Sequence, residues 1–104
     1  MRILSCCRAL YGLRQMIKRD SITFAVWEND PSLEIQLEPE ALVFTVNPGE
    51  ELTFVVKNPS QEFSWTIRHE RDGIQLFPET LGDYERIVMF RNGTASTELD
   101  FLYE

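Results

Sequence analysis

Six consecutive residues, Leu33-Glu34-Ile35-Gln36-Leu37-Glu38, alternate apolar and polar without a break, and Pro39 follows them. A period of two puts Leu33, Ile35 and Leu37 on one side of an extended chain and the polar residues on the other, a pattern that a helix of period 3.6 cannot use. Proline has no N–H to donate to a sheet ladder, so the strand ends there. The rest of residues 21–104 follows the same pattern. Turn residues recur about every eight to twelve positions, the spacing of a β-sandwich or small barrel.

Strands are predicted over residues 22–28, 33–38, 42–46, 52–56, 63–67, 74–77, 84–91 and 94–103. Asn47-Pro48-Gly49-Glu50 places proline second and glycine third, as a type II turn requires, and marks a hairpin or a corner between two sheets. Asn92-Gly93 is the preferred type I′ dipeptide and joins the last two strands as a hairpin. Phe63, Trp65 and Ile67 share one parity and are predicted core, and Leu99, Phe101 and Tyr103 are expected to close it. Residues 42–60, less than a fifth of the chain, carry Val-Asn-Pro-Gly-Glu-Glu-Leu-Thr-Phe-Val-Val-Lys-Asn-Pro-Ser. This stretch resembles the early hairpin of immunoglobulin-like and cupredoxin-like sandwiches. The resemblance implies a fold only: an antiparallel immunoglobulin-like β-sandwich of seven or eight strands.

Charge divides the chain at Asp20. Residues 1–20 carry five bases against one acid, whereas residues 21–104 carry five bases against sixteen acids, within a net charge of −7. In the first stretch Ile3, Cys6, Cys7, Leu10, Leu13 and Ile17 follow three- and four-residue steps, the apolar face of a helix, with Arg8, Arg14, Lys18 and Arg19 on the remainder. The reading is a basic amphipathic arm, helix or tail, over 1–20 and an acidic β-domain over 21–104. The arm holds no apolar run of secretory-leader length and nothing near the ~20 residues of a membrane span. Its three uses are peripheral membrane contact through residues 1–19, docking on a protein or on the acidic body, and none at all, as an extension ahead of Met16. Both cysteines, Cys6 and Cys7, are adjacent and lie in the arm. The body, without a thiol, fits a reducing, cytoplasmic setting.

Chemistry is scarce. Copper of the cupredoxin kind takes two imidazoles and a thiolate, whereas residues 21–104 contain one histidine and no cysteine. Zinc sites normally draw on several His or Cys ligands. His69 stands near Ser64 and Thr66, but a loop position beside Glu70 and Asp72 accounts for it better than a nucleophile pair does. Glu28-Asn29-Asp30 lacks the stepped ligand spacing of a calcium loop. No glycine-rich phosphate loop occurs, and the acidity argues against nucleic acid. The sequence therefore predicts neither catalysis nor a cofactor.

Residues 20–56 contain no Lys or Arg and eight acids. With Glu34 and Glu38 on one strand face, they form an acidic ribbon suited to a basic protein partner. The residues expected to bind it are Trp27, Glu28, Asp30, Glu34, Glu38 and Glu40, with Arg8, Arg14, Lys18 and Arg19 acting through the arm. Trp27 is opposite in parity to Ile22, Phe24 and Val26. A strand with one buried face exposes it as an anchor, and a strand covered on both faces buries it. The leading expectation is a non-catalytic interaction module or accessory subunit. The alternatives are a carbohydrate-binding module stacking sugars on Trp27 and Tyr84, and a small hydrolase built on a carboxylate pair.

Overall fold

A computed structural model describes residues 2–5, 20–79 and 84–104. The chain is all-β. Strands β1 (Arg2–Ser5), β2 (Ser21–Ala25), β5 (Glu51–Lys57), β8 (Arg86–Arg91) and β9 (Thr94–Ser96) form one sheet in the order β1-β2-β5-β8-β9. Strands β4 (Leu42–Val46), β3 (Leu33–Leu37), β7 (Gly73–Glu79) and β6 (Ser64–His69) form the second in the order β4-β3-β7-β6. The inward residues of both sheets make a single core of apolar side chains, with no polar residue buried among those described.

The period-two segments build that core as written. Leu33, Ile35 and Leu37 of β3 meet Leu52, Phe54 and Val56 of β5 across the sandwich, all buried. Phe54 lies at the centre of an aromatic set: its ring is 6.3 Å from Phe24, 5.9 Å from Phe44 and 6.5 Å from Trp65, each tilted or edge-on, the favoured orientation of aromatic quadrupoles. Trp65 and Ile67 pack against the core from β6, as their parity predicts.

The turns resolve the open choices. Gly49 has φ +86° and the Glu50 amide donates to the Asn47 carbonyl at 2.9 Å, so the turn forms as predicted. It is a corner, since β4 and β5 belong to different sheets. Asn92 and Gly93 both have positive φ (51° and 83°), as the type I′ hairpin between β8 and β9 requires.

Three expectations are corrected. Pairing is not wholly antiparallel: β3 and β7 run parallel, because the chain crosses to the other sheet for β5 and returns through β6 before reaching β3's free side. The final strand stops at Ser96, and residues Asp100–Tyr103 wind into a 3-10 turn. That winding replaces period two with a period near three, so Leu99 is buried while Phe101 is 55% exposed and Tyr103 lies outside the core, against β8. Residues Arg2–Ser5 pair antiparallel with β2 as a strand, where the spacing predicts the first turn of a helix. Sheet pairing to the open edge of β2 satisfies their backbone groups there. The remainder of the arm, including Arg8, Arg14, Lys18 and Arg19, lies outside the described residues.

Candidate partner-binding surface

The ends of the strands set out two poles. At one pole β2 leads into the segment bearing Trp27, Glu28 and Asp30, and the 47–50 corner and the Asn92-Gly93 hairpin lie beside it. Main-chain bonds tie these pieces together. Val26 donates to the Glu50 carbonyl at 3.0 Å, Gly49 donates to the Val26 carbonyl at 2.7 Å, and Asn92 donates to the Glu51 carbonyl at 3.0 Å. The Asn92 side chain accepts from the Glu51 amide at 2.9 Å, and the Ser32 hydroxyl donates to Asn47 Oδ1 at 3.1 Å. Asp30 donates its amide to the Trp27 carbonyl at 3.0 Å, closing a turn after the tryptophan.

On this frame Trp27 is 57% exposed. The strand predicted to reach residue 28 ends at Ala25, so Trp27 lies two residues beyond it, and of the two readings of its parity the exposed one holds. Glu28 and Glu51 are exposed, and Asp30 and Glu50 are half-buried. Glu28 lies over the corner: a Cβ on Gly49 would meet its Cγ at 3.7 Å. Glu50 and Glu51 arrive from a distant stretch of sequence, and only the turn chemistry of Pro48-Gly49 hints that they join this pole.

The acidic ribbon does not run unbroken from there. Glu34 is exposed on the outer face of β3, but Glu38 is half-buried and accepts from Gln36 Nε2 and, at 2.8 Å, from Gln75 Nε2. Arg68 Nη1 donates to Gln75 Oε1 at 2.8 Å, so a polar chain crosses the sheet from β6 to β3 and brings a cation close to the ribbon. This neighbour was not legible, since Arg68 and Glu38 are thirty residues apart. Glu40 lies beyond the cis Glu38-Pro39 bond at the opposite pole. There it faces Tyr84, whose hydroxyl is pushed above its usual pKa mainly by burial, then by Tyr103 and Glu40.

One ion pair closes the margin between the sheets. Arg91, at the end of β8, donates from Nε to Glu98 Oε2 at 3.0 Å and from Nη2 to Glu98 Oε1 at 3.4 Å. Its Nη1 donates to the Thr45 carbonyl of β4 at 3.1 Å and lies 3.9 Å from Glu50. The bond to Arg91, reinforced by Ser96, holds Glu98 below the usual carboxylate range, and the same bond raises the Arg91 guanidinium.

The sugar platform and the His69–Ser64 pair do not assemble. Tyr84 is half-buried, edge-on to Phe63 at 5.8 Å, and sits at the pole opposite Trp27, so the two rings form no common sugar platform. His69 and Ser64 occupy opposite ends of one six-residue strand. At ~3.4 Å per residue they are about 17 Å apart, beyond reach of proton transfer. No group of three or more His, Cys, Asp or Glu among the described residues is arranged to hold a metal ion. None of the described residues form a helix long and apolar enough to cross a membrane. No family model matches the chain, and neither a curated protein nor a solved structure matches it.

Proposed function

We propose that the protein is a non-catalytic interaction module, a cytoplasmic accessory domain of immunoglobulin-like fold, that binds a basic protein surface. The observation that carries this reading is the exposed indole of Trp27 on a pole that main-chain hydrogen bonds assemble from the segments bearing Glu28, Asp30, Glu50 and Glu51, of which Glu50 is already engaged by the Asn47 amide and Arg91. An arginine or lysine over the indole would gain cation–π attraction, worth about 0.5–1 kcal/mol at an exposed site and more once desolvated. The carboxylates steer such a group by long-range attraction that salt screens over about 8–10 Å. Glu34 extends the surface along the outer face of β3. Glu38 contributes less, because its carboxylate is already engaged by Gln36 and Gln75.

The test uses the Trp65→Phe chain, in which Trp27 is the remaining tryptophan. Titration with a lysine-rich peptide at low ionic strength is expected to shift its fluorescence, and a glutamate-rich peptide is expected to leave it unchanged. Trp27→Ala and a Glu28→Lys/Glu51→Lys double substitution, each followed by titration calorimetry because the first removes the fluorophore, should both weaken binding. Binding that persists unchanged in 1 M salt, or that survives both variants, would overturn the assignment.

A further inference from the structure

Each sheet has two edges, and strand edges expose unpaired N–H and C=O groups unless something blunts them. Strand β9 is three residues long, and the turn after it brings the Tyr103 hydroxyl to accept from the Ile87 amide of β8 at 2.9 Å. Strand β6 carries Arg68 and His69. Strand β4 differs from both. Its sequence, Leu42-Val43-Phe44-Thr45-Val46, has no charge, proline or glycine, Val43 is 54% exposed, and β3 is its sheet neighbour among the described residues.

The direction of its backbone groups follows from one contact. The Thr45 carbonyl accepts from Arg91 and so faces away from β3. In an antiparallel ladder the N–H and C=O of one residue point to the same side and alternate along the strand. Val43 and Thr45 therefore present their groups outward, while Leu42, Phe44 and Val46 pair with β3. Of the four outward groups, Arg91 takes the Thr45 oxygen.

The surroundings of this edge are acidic. Glu40 precedes it by two residues, Glu34 stands opposite Thr45 on β3, and Glu50 and Glu98 flank Arg91 at its far end. A shallow groove of about 200 Å³ runs over the sheet beside Val43, bordered by Glu34, Gln36, Glu70, Arg71 and Asp72, so that three carboxylates stand against one guanidinium. The acidic body of a second copy, residues 21–104, would bring like charge to the edge; a basic segment would not.

We propose that β4 accepts a basic extended peptide as a fifth strand of its sheet. The peptide backbone bonds to Val43 and Thr45, and its lysines or arginines extend over Val43 toward Glu34. A peptide N–H replaces Arg91 Nη1 on the Thr45 oxygen, while Arg91 keeps Glu98 through Nε and Nη2. The inference deepens the functional reading above, resting on it for the basic charge of the partner, and moves the main-chain contact to a different strand.

The probe is an octapeptide of alternating lysine and valine, with the glutamate–valine octapeptide as control, followed by amide hydrogen exchange on the whole chain. The expected result is at least tenfold slower exchange at Val43 and Thr45 with the lysine peptide alone. Val43→Pro removes an outward N–H that the β3 ladder does not use. It should keep the unfolding transition while weakening peptide binding at least tenfold, and Val43→Thr should retain binding. If the peptide perturbs Trp27 and leaves Val43 and Thr45 unprotected, the edge proposal is overturned and the functional reading stands. If it does neither, both fail. Protection of Val43 and Thr45 without peptide, together with a doubled mass, would assign the edge to a second copy and overturn the peptide proposal.

Discussion

A Cβ on Gly73 would stand 2.1 Å from the main-chain oxygen of Glu34 and 3.2 Å from its Cβ. The parallel pairing of β3 with β7 begins at these two residues, and only glycine lets the strands approach so closely. Gly73→Ala must push β7 away from β3 and is expected to destabilise the fold by about 2–3 kcal/mol, in the range of overpacked sites. Gly93→Ala is the control: it meets open space, and its φ of +83° costs about 1 kcal/mol. Denaturant midpoints of the two variants check the order. Equal losses would show that the β3–β7 contact relaxes.

The Arg91–Glu98 pair gives stability a defined pH dependence. Because Glu98 has a lower pKa folded than unfolded, its contribution is full above the unfolded carboxylate value of about 4.3. It is lost as pH falls through the lowered folded value. Both side chains are partly exposed, so the contribution at neutral pH is about 0.5–1 kcal/mol. Urea unfolding of the parent and Glu98→Gln should differ by a constant amount above pH 5 and converge in more acid solution. A difference that persists at pH 2 would locate the effect in packing rather than charge.

Trp65 buries its indole N–H with no hydrogen-bond partner, although its ring packs on Phe54 and, at 5.2 Å, on Phe63. Phenylalanine removes the unsatisfied donor and keeps an aromatic ring, two effects of opposite sign. Trp65→Phe is expected within about 1 kcal/mol of the parent, while Trp65→Ala costs about 3–5 kcal/mol. Thermal unfolding of both distinguishes these outcomes. A Phe variant as damaged as the Ala variant would mean that the N–H has a partner.

Tyr103 joins the C-terminal turn to β8 in two ways: its hydroxyl accepts the Ile87 amide, and Arg86 lies over its ring at 4.5 Å. Tyr103→Phe should cost about 1 kcal/mol through the lost acceptor alone. Tyr103→Ala should cost more by removing the ring as well. Exchange at the Ile87 amide is the specific readout, and it should accelerate in both variants.

What could be read in the chain was local. Alternation in β3, the Pro48-Gly49 turn and the Asn92-Gly93 hairpin are set by φ preference and side-chain parity within a few residues, and each stands in the structure as read. The 3-10 turn at Asp100–Tyr103 was misread because Leu99, Phe101 and Tyr103 also fit period two. The exposure of Trp27, Glu28 and Glu34 was legible from parity and turn position. The engagement of Glu38 was not legible, because Gln75, which donates to it, and Arg68, which donates to Gln75, come from two other strands.

The sequence by itself therefore determined a β-rich acidic body, its main turns and most of its core, because these follow from backbone sterics and the burial of alternate side chains. Only the tertiary structure decided that β4 and β5 part into different sheets, that β7 pairs parallel with β3 through Gly73, and that Glu50 and Glu51 join Trp27 at one pole. Those outcomes depend on which strands meet. Strand pairing is a contest among many non-local contacts of similar free energy, decided by the packing of both sheets at once.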